Sequence, residues 1–243
     1  MWPPRAPDLA SPLNIIRGGA GYKYRVNLHP SKTNHSLTMS RYTGPKARLC
    51  RRFGTNIFGP DKYDKILAKR NFPPGMHGQG RFAKKSEYAK QLMEKQKARY
   101  MFGLNEKQFR SYYEKADRSD MVTGEGLLML LERRLDNVLY RAGFGVSRPQ
   151  TRQMINHGLF MVNGRRVTIP SIQVKIGDKI EIIKRSAASP LFANLKTGKE
   201  KIKPPSWLNS DPKNLTIEVV AIPEKEELEQ SIESSLIIEF YSK

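Results

Sequence analysis

The chain has 243 residues, with 43 Lys and Arg against 23 Asp and Glu for a net charge of +20, so one or two modest cores are expected under a surface that repels itself unless a polyanion lies opposite. Nucleic acid is the first such partner, because every phosphate neutralised releases a condensed counterion; a membrane is the rival, but no stretch reaches the roughly 20 apolar residues of a span. The single cysteine, Cys50, excludes a disulfide framework and a multi-thiolate zinc site within the chain, and beside Arg51 and Arg52 it reads as a small semi-apolar residue rather than an activated thiol.

Residues 1–38 hold Pro3, Pro4, Pro7, Pro12 and Pro30 with few periodic apolar residues, the pattern of a disordered extension. Its one acid, Asp8, stands against Arg5, Arg17, Lys23, Arg25 and Lys32. The segment therefore reads either as an organellar presequence or, preferably, as sequence ahead of a true start at Met39. Residues 39–85 form a dense basic run: Arg41, Lys46, Arg48, Arg51 and Arg52 come first, then Lys62, Lys65, Lys69 and Arg70, with Arg81, Lys84 and Lys85 closing it. Such a segment has too little apolar content to fold firmly alone. Within it PPGMHGQG, from Pro73 to Gly80, must be a loop. It is either a plain surface turn or a close backbone approach to phosphate with His77 as a donor; no second ligand near His77 suggests a metal.

Ser86 is a good N-cap for a helix that Gly103 stops. Asn105 and Gln108 have the form of a capping box for the next, on which Phe109, Tyr112, Tyr113 and Ala116 share one face and read as core rather than base-stacking residues. Lys90, Lys95, Lys97, Arg99, Lys107 and Arg110 decorate the outer faces with few acids to offset them, which favours RNA over plain solvation. A third helix from Thr123 to Ala142 carries Leu127, Leu130, Leu131, Leu135, Val138 and Leu139 at core spacing. The Ser147 hydroxyl is expected to cap a fourth, with Pro149 in its first turn and Gly158 beyond its end. Leu159 to Val167 reads as a hairpin about Asn163-Gly164. Gly177-Asp178 turns into a strand from Lys179 to Lys184, and Leu236 to Tyr241, after the acidic run Glu224, Glu226, Glu227, Glu229 and Glu233, reads as a strand.

Function is expected to centre on the order helix, turn, basic-capped helix, Asn-Gly hairpin. Arg148 and Arg152 sit on the first turns of the fourth helix, where unpaired N–H groups and the helix dipole favour an anion. Across the hairpin Asn163, Arg165 and Arg166 present donors from a tight turn. Helix start and hairpin could line one concave surface that grips phosphate by paired hydrogen bonds and stacks on unpaired bases. That reading stands only if glutamates of the chain do not neutralise these arginines. An enzyme is the rival, but no glycine-rich cofactor loop or clustered acid marks a catalytic domain, and Asp136 beside Arg133 and Arg134 is better explained by an ion pair.

The stretch RRLDNVLYRAGFGVSRPQTRQMINHGLFMVNGRRV, with IPSIQVKIGDKIEI after it, resembles the alpha-L RNA-binding module. The flanks SRYTGPKARLCRRFGT, PPGMHGQG, SEYAKQLMEKQKARYMFGLNEKQFRSYY and the terminal IIEFYSK are similar to the family of bacterial-type small-subunit ribosomal protein four, from Met39 to Lys243. The resemblance implies an α+β chain: a mainly helical domain, an inserted alpha-L module of two helices plus a small β-sheet, and a basic, largely irregular N-terminal region. The expected division is an extension over 1–38, the basic region over 39–85, a helical domain over 86–130 plus 234–243 closed by the C-terminal strand, and the module with a basic loop and acidic segment over 131–233.

The resemblance further implies a non-enzymatic, cytoplasmic, ribosome-bound protein, with an organellar ribosome the alternative. It would be a primary binder of small-subunit ribosomal RNA acting early in assembly, touching the fifth small-subunit protein, aiding decoding fidelity, and lying where messenger RNA enters. RNA contacts are expected in the basic region at Arg41, Lys46, Arg48, Arg51, Arg52, His77, Arg81, Lys84 and Lys85, and on the first long helix at Lys97. In the module they are expected at Ser147, Arg148, Thr151, Arg152, Asn156, His157, Asn163, Gly164, Arg165 and Arg166. Many relatives bind zinc through four cysteines near the start of the family body, whereas only Cys50 stands here, so no metal and no cofactor are expected.

Overall fold

Local capping signals place the first long helices. In the computed structural model, which describes residues 42–80, 84–187, 189–192, 204–211 and 214–242, Ser86 Oγ accepts from Ala89 N at 3.3 Å and opens α3, Glu87–Met101; α1 and α2 are Lys46–Phe53 and Lys62–Lys69. Asn105 and Gln108 form both halves of the capping box of α4, Glu106–Asp117, which satisfies amide groups that the first helical turn leaves bare. The basic region is irregular apart from the eight-residue helices α1 and α2 and a 3₁₀ turn at Met76–Gln79. It completes its burial on α3 and α4: Leu49, Cys50, Ile57, Phe58 and Tyr63 share one apolar cluster with Met101, Phe109, Leu127 and Leu131. Burial raises the Cys50 thiol pKa against opposing backbone hydrogen bonds, so the residue is a packing element.

The expected third helix is two: α5, Thr123–Glu132, and α6, Leu135–Arg141. No proline or glycine marks the break. Arg134 is extended and bridges to Gln173, while the amides of Leu135 and Asp136 donate to the carbonyls of Ile172 and Pro170 at 2.9 and 3.2 Å. A neighbouring loop has replaced the helix's own carbonyls as acceptors.

α7, Arg148–Asn156, begins as expected with Pro149 in its first turn, but Ser147 makes no side-chain cap. Instead Gln150 Oε1 accepts from Val146 N at 3.0 Å. The strands are β1, Phe160–Val162; β2, Arg165–Val167; β3, Lys179–Ile182; β4, Leu208–Asp211; and β5, Thr216–Val219. They form one antiparallel sheet in the order β2-β1-β3-β5-β4. At the hairpin Asn163 and Gly164 both have positive φ, 50° and 75°, as a type I′ turn requires. The sheet's inner face meets α6 and α7 in a second cluster around Leu139, Ile155, Phe160, Ile180 and Trp207.

The C-terminal segment is a helix, α8, Ser234–Tyr241, where a strand was expected. Short apolar runs fit either period, and packing decides: Ile237 is fully buried, Gln91 donates to Glu239 at 2.8 Å, and Tyr241 donates to Glu106 at 2.9 Å and stacks on Tyr113. Gly124 on α5 admits it closely, since a Cβ there would lie 2.7 Å from Ser234 Oγ.

Candidate nucleic-acid interface

The start of α7 faces inward more than its sequence suggests. Arg148 Nε donates to Asn137 Oδ1 at 2.7 Å and Nη2 to Glu229 at 2.8 Å, and its guanidinium lies over the rings of Phe102 and Tyr140. Glu229 also stands 3.5 Å from Arg141, which pairs with the buried Glu132, itself bonded to Asn137. Burial pushes the Glu229 carboxyl pKa up, but Arg148 and Arg141 outweigh it and hold it below the ordinary range. Thr151 is fully buried, its Oγ1 within 2.8 Å of the carbonyls of Asp136 and Arg148. Arg148 and Thr151 are therefore held inside the protein, and where phosphate was expected Arg148 already has a glutamate of the chain as partner. Asp136 is in the predicted ion pair, taking two hydrogen bonds from Arg134 at 3.0 and 2.7 Å.

Two other expected RNA contacts also turn inward. Lys97 bonds Glu94 at 3.1 Å and the Ser231 carbonyl. Arg51 lies over the Phe72 ring and donates to the carbonyls of Phe72 and Pro73 at 3.1 and 3.2 Å, so it pins the loop before His77. Arg41 and Arg81 lie outside the described residues.

Several of the expected residues are exposed. Arg48 and Arg52, one turn apart on α1, are exposed and line a concavity of about 390 Å³ with Tyr42, Tyr100, Pro73 and Pro74. His77, Lys84 and Lys85 are exposed. At the far end of α7 lie Asn156 and His157, followed by the hairpin residues Asn163, Gly164, Arg165 and Arg166, all exposed. There Asn163 Oδ1 accepts from Lys179 N at 2.9 Å and Nδ2 donates to Asp178 at 2.8 Å. Arg166 donates to the carbonyls of Gly158 and His157, which ties helix end and hairpin into one rigid surface. Gly158 is favoured there by its φ of +66°, and a Cβ, 2.5 Å from Arg166 Nε, would force that guanidinium to shift.

None of the hairpin residues lines the cleft at the start of α7. The cleft at α7's start, about 380 Å³, is closed instead by the segments around Tyr42–Lys46 and Tyr100–Leu104, with Ser147, Gln150, Arg152 and Gln153 on the α7 side. Arg152 Nη1 donates to the Gly103 carbonyl at 2.9 Å and lies 3.9 Å from Asp136. Tyr42, Tyr100, Gln150 and Gln153 are not among the expected contact residues, and they converge on this cleft from segments about fifty or more residues apart, which no local pattern announces.

The Ribosomal protein S4/S9 N-terminal domain matches residues 41–132, and the S4 domain matches 133–180. The small ribosomal subunit protein uS4 of Syntrophomonas wolfei is 46% identical over 209 residues, covering 84% of this chain and all of the relative. Those of Oleidesulfovibrio alaskensis and Geotalea daltonii are each 49% identical at the same coverage. The chain belongs to the uS4 family. The boundary between the two matched domains falls at Glu132/Arg133, where α5 ends and the extended Arg134 begins. In this uS4-family chain the buried Arg148 and Glu132, with the partly buried Arg141 and Glu229, tie α5, α6 and α7 to the returning segment before α8, across that boundary.

Proposed function

We propose that the chain is a non-enzymatic structural constituent of the small ribosomal subunit that binds small-subunit ribosomal RNA directly and early in assembly. The observation that carries the reading is the match to uS4 proteins over their whole length, and the net charge of +20 supports a polyanionic partner. Contact would be mainly with phosphate and folded shape, through Arg48 and Arg52 on α1, Lys46 and Arg152 at the cleft, His77, Lys84 and Lys85 near the loop, and Asn156, His157, Asn163, Gly164, Arg165 and Arg166 on the second surface. Ser147, Arg148, Thr151, Arg51 and Lys97 would position those elements. In this reading the module over 131–233 is an insertion in the helical domain.

The exposed acids Glu224, Glu226 and Glu233 would repel RNA and suit a basic protein neighbour, for which the fifth small-subunit protein is proposed. A contribution to decoding accuracy, a position where messenger RNA enters, and residence on the cytoplasmic ribosome complete the reading. The test is a titration of the purified chain with small-subunit and large-subunit ribosomal RNA of its own organism at several salt concentrations. We expect preference for the small-subunit RNA and a log–log salt slope of roughly −0.7 to −0.9 per phosphate neutralised. Equal affinity for both RNAs with no saturable footprint on either would defeat the proposal.

A further inference from the structure

Tyr42 and Tyr100 line both concavities on this side of the molecule: the cleft at α7's start and the hollow beside α1. Their rings meet edge to face, with centroids 5.3 Å apart. Tyr100 is braced by Arg99, 4.5 Å from its centroid, and by Phe53, whereas Tyr42 is half-buried and, among the described residues, its hydroxyl makes one long 3.4 Å bond to the Pro45 carbonyl. An edge-to-face pair uses one ring face and one edge, and although Gly44 lies close against the hydroxyl end of the Tyr42 ring, both rings still line the two concavities. The cleft floor holds the buried Phe58 and Phe102, and its α7 wall presents the amides of Gln150 and Gln153.

Size and charge narrow the occupant. At about 380 Å³ the cleft lies at the small end of ligand sites, which run about 300–1,000 Å³; it suits one nucleoside and not a duplex. Its lining carboxylate is Asp136, which Arg134 already holds. Aromatic faces, amide groups and flanking arginines are the set that reads a base removed from its stack.

We propose that this cleft receives one unpaired base of the bound RNA, stacked against the Tyr42–Tyr100 pair, with the adjoining phosphates running past Arg48 and Arg52 on one side and Arg152 on the other. The assignment rests on RNA binding being the chain's function, and it adds that the protein recognises a splayed nucleotide as well as phosphate. Gln150, already engaged with Val146 N, fixes the cleft wall, and Gln153, exposed on α7, is the side chain available to the base edge.

The test uses the full chain and small-subunit ribosomal RNA of its own organism, with affinity from filter binding and base accessibility from chemical modification of pairing edges. Wild type should protect at least one unpaired base. Tyr42→Leu should lose that protection and bind about 5- to 150-fold more weakly, the range for removing one base–aromatic stack, with an unchanged salt slope. Tyr42→Phe should keep the protection.

Gln153→Trp fills the cleft from the opposite wall and should reproduce the Tyr42→Leu footprint, so the outcome does not hang on one variant's folding; thermal unfolding checks both. Folded variants that bind and protect as wild type does would overturn the inference while leaving RNA binding intact. A wild-type chain without preference for small-subunit RNA would remove the function and the inference with it. Displacement of the protected base by low-millimolar adenosine or uridine monophosphate would make the cleft a free-nucleotide site and overturn the assignment to RNA.

Discussion

Replacing Arg148 by alanine separates an internal joint from an RNA contact. The side chain is 10% exposed and its partner Glu229 20% exposed, 2.8 Å apart. Breaking a buried ion pair by deleting one partner costs about 3–5 kcal/mol, and the loss of guanidinium packing on Phe102 and Tyr140 adds to it. Two features reduce the figure: Glu229 keeps Arg141 at 3.5 Å, and it is partly solvated. We therefore expect about 2–4 kcal/mol of destabilisation, which at about 2–4 °C per kcal/mol for a chain of this size lowers Tm by roughly 4–16 °C. Calorimetry or far-UV circular dichroism reads the shift. A titration with ribosomal RNA well below Tm should give the wild-type salt slope, because every phosphate-facing cation is still in place. An unchanged Tm together with a slope reduced by about 0.7–0.9 would refute the reasoning and return Arg148 to the RNA-facing surface.

The other predictions concern pH, the hairpin and the exposed arginines. Glu229 has a folded-state pKa lowered by Arg148 and Arg141 against burial, and that of Glu106 is lowered by hydrogen bonds from Lys95 and Tyr241 against burial. Their stabilisation is full above the ordinary carboxylate value and is lost as pH falls through the lowered folded values, so Glu229→Gln should flatten the acid limb of a Tm–pH curve; an acid limb as steep as wild type would reject this linkage. Asn163→Ala removes two hydrogen bonds and places alanine at φ 50°, for about 1–3 kcal/mol of destabilisation by chemical unfolding. Gly158→Ala should displace Arg166 from the carbonyls of Gly158 and His157, giving a lower Tm and weaker RNA binding together; a neutral outcome in both assays would count against that anchoring. Arg52→Ala and Arg165→Ala should each leave Tm nearly unchanged and reduce the magnitude of the salt slope by about 0.7–0.9 for each phosphate no longer neutralised.

Much of this protein is local and was therefore legible. Caps and turns are settled by neighbours in sequence: the Ser86 cap, the Asn105 capping box, Pro149 in α7's first turn, and Asn163-Gly164 at the hairpin all occur where the residue order put them. Aromatics at helical spacing on α4 likewise proved to be packing residues, with Phe109 buried and the Tyr112 hydroxyl accepting from Arg134. The failures share a cause. The break between α5 and α6, the helical C-terminus and the inward turn of Arg148 each depend on a partner more than thirty residues away: the 170–174 loop, the α3–α5 face, and Glu229.

The amino-acid order by itself determined the class of the chain, its charge-driven need for a polyanion, the placement of α3, α4 and α7 and the Asn163-Gly164 hairpin, because propensity, capping and net charge are properties of a residue and its near neighbours. Which cations are offered outward was decided only by the tertiary structure. An arginine's role depends on whether a carboxylate lies within hydrogen-bond reach, and Glu229 comes to Arg148 from 81 positions along the chain, whereas Arg52 and Arg165 remain exposed. The cleft flanking Tyr42 exists for the same reason: its walls are distant in sequence, and packing alone brings them together.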